Sequence, residues 1–113
     1  MKFFRSERVQ KVIREELAKI ILREFEFPDA LVTITEVEVD KKLERARVLV
    51  SVLPAAGSEE ALAALEKRAG HLQHLLNVKM NIRPMPRIAF SLDRGPENAA
   101  LVEKHLNGDT AKD

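Results

Sequence analysis

The chain has 113 residues, 45% of them hydrophobic and 33% charged, with a formal net charge of +1. This length and composition describe one folded core, not two and not a disordered chain, and so small a net charge points to no class of partner. The absence of cysteine excludes disulfides and thiolate metal sites and suits a reducing compartment, the cytoplasm, while no apolar run approaches the roughly 20 residues of a bilayer span and MKFFRSER lacks a signal-peptide core.

Residues 6 to 24 set Val9, Val12, Ile13, Leu17, Ile20 and Ile21 at helical spacing, with Ser6 as the expected N-cap. Pro28-Asp29 marks a turn. LVTITEVEV (31 to 39) and ARVLVSVL (46 to 53) are rich in β-branched residues and flank the polar DKKLER, the pattern of an antiparallel hairpin. Apolar parity changes between Ile34 and Val37, which allows a bulge. Pro54 and Gly57 then interrupt the chain, and Ser58 is the expected N-cap of a helix running to Arg68. Gly70 breaks that helix, at about 1 kcal/mol relative to alanine in a helix interior. HLQHLLNVKM (71 to 80) resumes it. NIRPMP reads as a loop stiffened by Pro84 and Pro86, and RIAFSL (87 to 92) alternates into a third strand. ENAALVEKHL (97 to 106) predicts a short terminal helix, and residues 108–113 a flexible C-terminal tail after a single domain over 1–107.

The order α-β-β-α-kink-α-β predicts an α+β domain. Some thirty residues separate the second strand from the third, the length of a right-handed parallel crossover rather than a hairpin. Val48, Val50 and Val52 on one parity, with Leu49 and Leu53 on the other, put the second strand in the centre of a three-stranded mixed sheet. Helices then cover one face. This is the layout of a type II KH domain, an analogy of fold that carries no function by itself.

Charge is segregated along the chain. Lys2, Arg5, Arg8, Lys11 and Arg14 face a single acid, Glu7; residues 24 to 40 hold six acids and no base; Lys79, Arg83, Arg87 and Arg94 turn positive again. A KH domain grips a single strand with a GXXG loop, and no pair among Gly57, Gly70, Gly95 and Gly108 has that spacing. No Trp or Tyr supplies a stacking platform. His71 and His74 share a helix face without a local carboxylate, and neither a HExxH motif, a phosphate loop nor a nucleophile elbow occurs. No catalysis, metal or cofactor is expected.

What remains is contact with the phosphates of a structured RNA. The residues expected to make it are Arg5, Arg8 and Lys11 on the first helix, Lys67, Arg68, His71 and His74 around the kink at Ala69-Gly70, and Lys79, Arg83 and Arg87 around the proline loop. Each also has a plain explanation as solvated surface, and Lys67 and Arg68 suit the negative end of a helix dipole. A competing reading makes Glu36, Glu38 and Asp40 an acidic docking edge for a protein partner, with no direct RNA role. A third, a metal-dependent nuclease, would rest on His71 and His74 alone.

RVQKVIREELAKIILREF, VTITEVEVDKKLERARVLVSV, the G-x-L-x-x-L-L stretch at Gly70 and IRPMPRIAFSLD, in this order over residues 4 to 106, resemble the ribosome-binding factor A family of bacteria. The resemblance implies a type II KH fold with an Ala-x-Gly kink in place of GXXG. Gly70 matches the kink glycine, Arg68 stands where the family has its alanine, and Gln73 stands where an arginine is often found. The family's Asp-Pro turn is replaced by Phe27-Pro28-Asp29. The resemblance further implies a non-enzymatic assembly factor that binds the small (30S) ribosomal subunit and its 16S rRNA. Such a factor supports late rRNA maturation, matters most in the cold, and acts beside an assembly GTPase that helps release it. A monomer with no membrane attachment is expected.

Overall fold

The computed structural model describes residues 2–82 and 85–93, the first few by their backbone alone. The expected helix at 97–106, the tail at 108–113 and Arg83 lie outside the described residues. The elements run α1 (Lys2–Glu24), β1 (Leu31–Val39), β2 (Arg45–Leu53), a 3-10 turn (Ala55–Gly57), α2 (Ser58–Lys67), α3 (Ala69–Met80) and β3 (Arg87–Leu92). Helix α1 starts ahead of Ser6, which lies inside it and is not its cap, because KFFR contains no helix breaker.

The sheet order is β1-β2-β3, with β1 antiparallel and β3 parallel to the central β2. Ile34 pairs with Val50 and Glu36 with Leu49, so Thr35 is the extra residue of a bulge. The bulge returns Val37 and Val39 to the face already occupied by Val32 and Ile34, which is why parity changes while the apolar face does not. The Thr35 hydroxyl lies 2.6 Å from Asp93 Oδ2 and 3.2 Å from the Leu49 carbonyl, and so ties the bulge across β2 to the end of β3.

Ile13 and Leu17 of α1, Leu65 of α2, and Leu72 and Leu76 of α3 pack against Val48 and Val50 of β2, all without solvent exposure. Each such side chain contributes about 1.5–3 kcal/mol through burial. One core residue comes from the connection that reads as polar. Leu43 is buried in the β1–β2 turn with a left-handed backbone (φ 60°). Its burial offsets a conformation that a branched side chain disfavours. Asp40 holds this turn, its Oδ1 accepting the N–H of Glu44 at 2.7 Å and of Arg45 at 3.2 Å.

Two further helix boundaries differ from expectation. Ser58 is a buried first residue of α2, and Gly57 occupies the cap, because the 3-10 turn already delivers the chain in helical sense. The kink between α2 and α3 sits on Arg68 (φ −105°, ψ 14°), not on Gly70. Gly70 is an ordinary helical residue of α3, and a Cβ placed on it would meet nothing within 4 Å.

Candidate nucleic-acid interface

Helices α1 and α3 pack side by side and run antiparallel, as the paired positions Glu24 with His71 and Glu16 with Lys79 show. At the kink, Arg68 is turned inward. Its Nη1 donates to the Glu24 carbonyl at 2.9 Å, its Nη2 to Glu24 Oε1 at 3.2 Å, and its guanidinium lies 4.9 Å over the Phe25 ring. Phe25 stacks on Phe27 with ring centroids 5.4 Å apart. His71 Nε2 reaches the same Glu24 carboxylate at 3.5 Å. Partial burial pushes the Glu24 carboxyl up, but the hydrogen bonds from Arg68, His71 and Arg23 together outweigh it and hold the group below its ordinary value.

The outer surface of α3 is different. His71, His74 and Lys79 are exposed there, Lys67 is exposed at the end of α2, and α3 contains no acid. The Lys79 ammonium stands 3.9 Å from Glu16, an exposed pair that holds it only weakly. Arg8 and Lys11 are exposed on α1. Lys11 and Arg14 lean toward β1, where they line a polar groove with Glu7, Gln10 and Glu36. Of Arg5 only the backbone is described, as part of α1.

Gln73, in the position where the resembled family often has an arginine, binds protein backbone. Its Oε1 accepts the N–H of Ile88 at 2.8 Å, and its Nε2 lies 3.1 Å from the Pro86 carbonyl and 2.9 Å from Asn77 Oδ1. That contact fixes the start of β3 against α3. Arg87 is therefore not grouped with the kink. Alternation with buried Ile88 sends it to the opposite face of the sheet, where its register partner is Arg45 and where Arg47 also lies. Arg45 and Arg47 escaped the sequence reading, although they alternate with Ala46, Val48 and Val50 and so had to point away from the core.

The acidic row is mostly engaged by its own neighbours. Glu38 pairs with Arg47 at 3.4 Å, and Glu36 lines the groove beside Lys11 and Arg14. Asp40 is held below its ordinary pKa first by the Glu44 N–H, against partial burial, and then by Arg45. Among the described residues no group of three or more His, Asp or Glu is placed to hold a metal ion, and no helix is long and apolar enough to cross a membrane.

The profile of the family described as Ribosome-binding factor A matches residues 5–106. The ribosome-binding factor A of Nitrosococcus oceani is 35% identical over 114 residues, covering 96% of this chain and 90% of the relative. That of Acetivibrio thermocellus is 36% identical, with 96% and 90% covered. The crystal structure of ribosome-binding factor A from Thermus thermophilus superposes with a TM-score of 0.70 at 25% identity, covering 80% of this chain and 98% of that one. A homology model of the Thermus thermophilus ribosome binding factor A, fitted into the cryo-EM map of a 30S–RbfA complex, gives 0.63 at 26% identity, covering 74% and 90%.

Proposed function

The chain belongs to the ribosome-binding factor A family, and from that premise we propose that it is a non-catalytic maturation factor that binds the small (30S) ribosomal subunit through the outer surface of α3 and the kink. The observation that carries the surface assignment is that α3 has no acid of its own while His71, His74 and Lys79 are exposed on it and Lys67 at the end of α2. These side chains offer charge and hydrogen-bond donors to phosphate without a pocket for a base, which suits folded rRNA better than a single strand. Arg5, Arg8, Lys11 and Arg83 extend the contact in this reading. Arg68 positions the surface instead of touching RNA, since its guanidinium is committed to Glu24 and Phe25.

A protein of this kind needs no chemistry. Higher affinity for one rRNA conformation than for another shifts the population toward the first by that difference alone. Family membership also supports the finer points of this reading: action in the cytoplasm as a monomer, support of late 16S rRNA maturation and growth in the cold, and release by an assembly GTPase.

The test is co-sedimentation of the purified protein with immature and mature small subunits at two salt concentrations. The parent is expected to bind, more weakly at the higher salt, and Lys67→Glu/Lys79→Glu to bind less with a flatter salt dependence. A double variant that co-sediments as the parent does would move the contact off this surface.

A further inference from the structure

Arg45 and Arg87 are register partners in the parallel pair β2–β3, so their side chains leave the sheet side by side. Both are exposed, and their neighbours Ala46 and Ile88 are buried under the helices, which places the two arginines on the helix-free face. Arg47 lies two residues further along β2 on the same face, and exposed Lys41 and Lys42 occupy the adjoining turn.

Like charges in directly paired strand positions destabilise a sheet. The acids nearby offset that cost only in part: Asp40 interacts with the Arg45 charge, and exposed Glu44 makes no ion pair among the described residues. Glu38 is engaged with Arg47 at 3.4 Å, and Asp40 uses Oδ1 to hold the turn backbone. Among the described residues neither Arg45 nor Arg87 makes an ion pair. Two adjacent guanidiniums, each a planar fork of donors, match the oxygens of successive phosphodiesters, and among the described residues β2 and β3 present no aromatic ring on this face to stack on a base.

We propose that this end of the helix-free sheet face, built on Arg45 and Arg87 with Arg47, Lys41 and Lys42 beside them, is a second contact for the rRNA backbone, so that the domain bridges two rRNA segments on its opposite sides. The inference rests on the small-subunit reading above and adds to it a surface separated from α3 by the whole core.

The experiment is small-subunit binding by the full chain carrying Arg45→Gln/Arg87→Gln, measured across a range of salt. Loss of two phosphate contacts is expected to lower affinity and to reduce the slope of log K against log salt by about 1.4 to 1.8. The melting temperature is expected to hold or rise, since the like-charge pair is gone. Arg45→Lys/Arg87→Lys keeps the charges and is expected to restore the slope. Should the Gln pair melt below the parent, the single Arg45→Gln variant decides, with a slope change of about 0.7 to 0.9.

Parent-like affinity and slope in the Gln variant, alongside weakened binding by Lys67→Glu/Lys79→Glu, would overturn the sheet-face contact and leave the small-subunit reading intact. A fall in affinity with an unchanged slope would assign the face to a protein partner and overturn the proposal equally. Failure of the parent to co-sediment would remove the reading on which both rest.

Discussion

Arg68 satisfies from the α2–α3 kink a carbonyl that the end of α1 leaves without an intrahelical partner, that of Glu24 at 2.9 Å. The same guanidinium bonds the Glu24 carboxylate and covers the Phe25 ring, so one side chain joins the kink to the end of α1. Arg68→Ala is expected to lower unfolding free energy by about 1–2 kcal/mol in urea titration, and Arg68→Lys to recover only part, because an ammonium lacks the planar fork. Glu24, held below its ordinary pKa, contributes stability that is present above the usual carboxylate range and lost as pH falls through the folded value. The gap in melting temperature between the parent and Glu24→Gln should therefore be open at neutral pH and narrow progressively as pH falls below the ordinary glutamate value of about 4.3. A gap that persists in acid would assign the effect to packing, not charge. Gly70, in helical conformation with open space at its Cβ position, predicts the opposite sign: Gly70→Ala should stabilise by about 0.5–1 kcal/mol. The sequence located this junction correctly but credited its turn to the glycine. Arg68 was illegible because its partner is 44 residues away, and no local pattern encodes that pairing.

A three-stranded sheet exposes two edges, and a glutamine from a helix reaches into each. Gln10 of α1 accepts the Val39 N–H at 3.0 Å on the β1 side, and Gln73 of α3 takes the Ile88 N–H and the Pro86 carbonyl on the β3 side. Occupied edge groups cannot template pairing with another chain, and the same bonds set the angle at which each helix crosses the sheet. Gln73→Ala is expected to cost about 1–2 kcal/mol, because it strands a partly buried N–H and a carbonyl. Faster hydrogen exchange at Ile88, with Val39 unchanged, would localise the loss to the β3 edge; exchange rising equally at both would mean global destabilisation instead. Strand positions were legible because β-branched alternation has a period of two, and the change of parity at Thr35 announced the bulge. The buried Leu43 was not, since its burial depends on a left-handed turn that a polar hexapeptide does not advertise. Nor was Gln73, whose amide reads as surface until β3 is placed beside it.

At the scale of the whole molecule, a net charge of +1 conceals a segregation of charge, with bases gathered on α3 and the kink and at one end of the helix-free sheet face, and six acids without a base over residues 24 to 40. The element order was enough to set the helices on one face of the sheet, and with it the α3 surface. The second surface was missed because Arg87 was grouped with the proline loop and Arg45 and Arg47 with no site, and only the parallel register makes Arg45 and Arg87 neighbours. If the domain holds rRNA on both sides, the two contacts share no side chain and are separated by the core residues Leu72, Leu76, Val48 and Val50. Free-energy effects of distant, unshared sites add to within about 0.3–0.5 kcal/mol. Combining Lys67→Glu/Lys79→Glu with Arg45→Gln/Arg87→Gln should therefore lower log affinity for the small subunit by the sum of the two separate losses. The same salt must be used throughout, since each contact weakens with ionic strength on its own. A combined loss no larger than the greater single one would show one rRNA contact sensed from two places. A loss well beyond the sum would show that either surface alone suffices to hold the subunit. Additivity within that margin is the result a bridging domain requires.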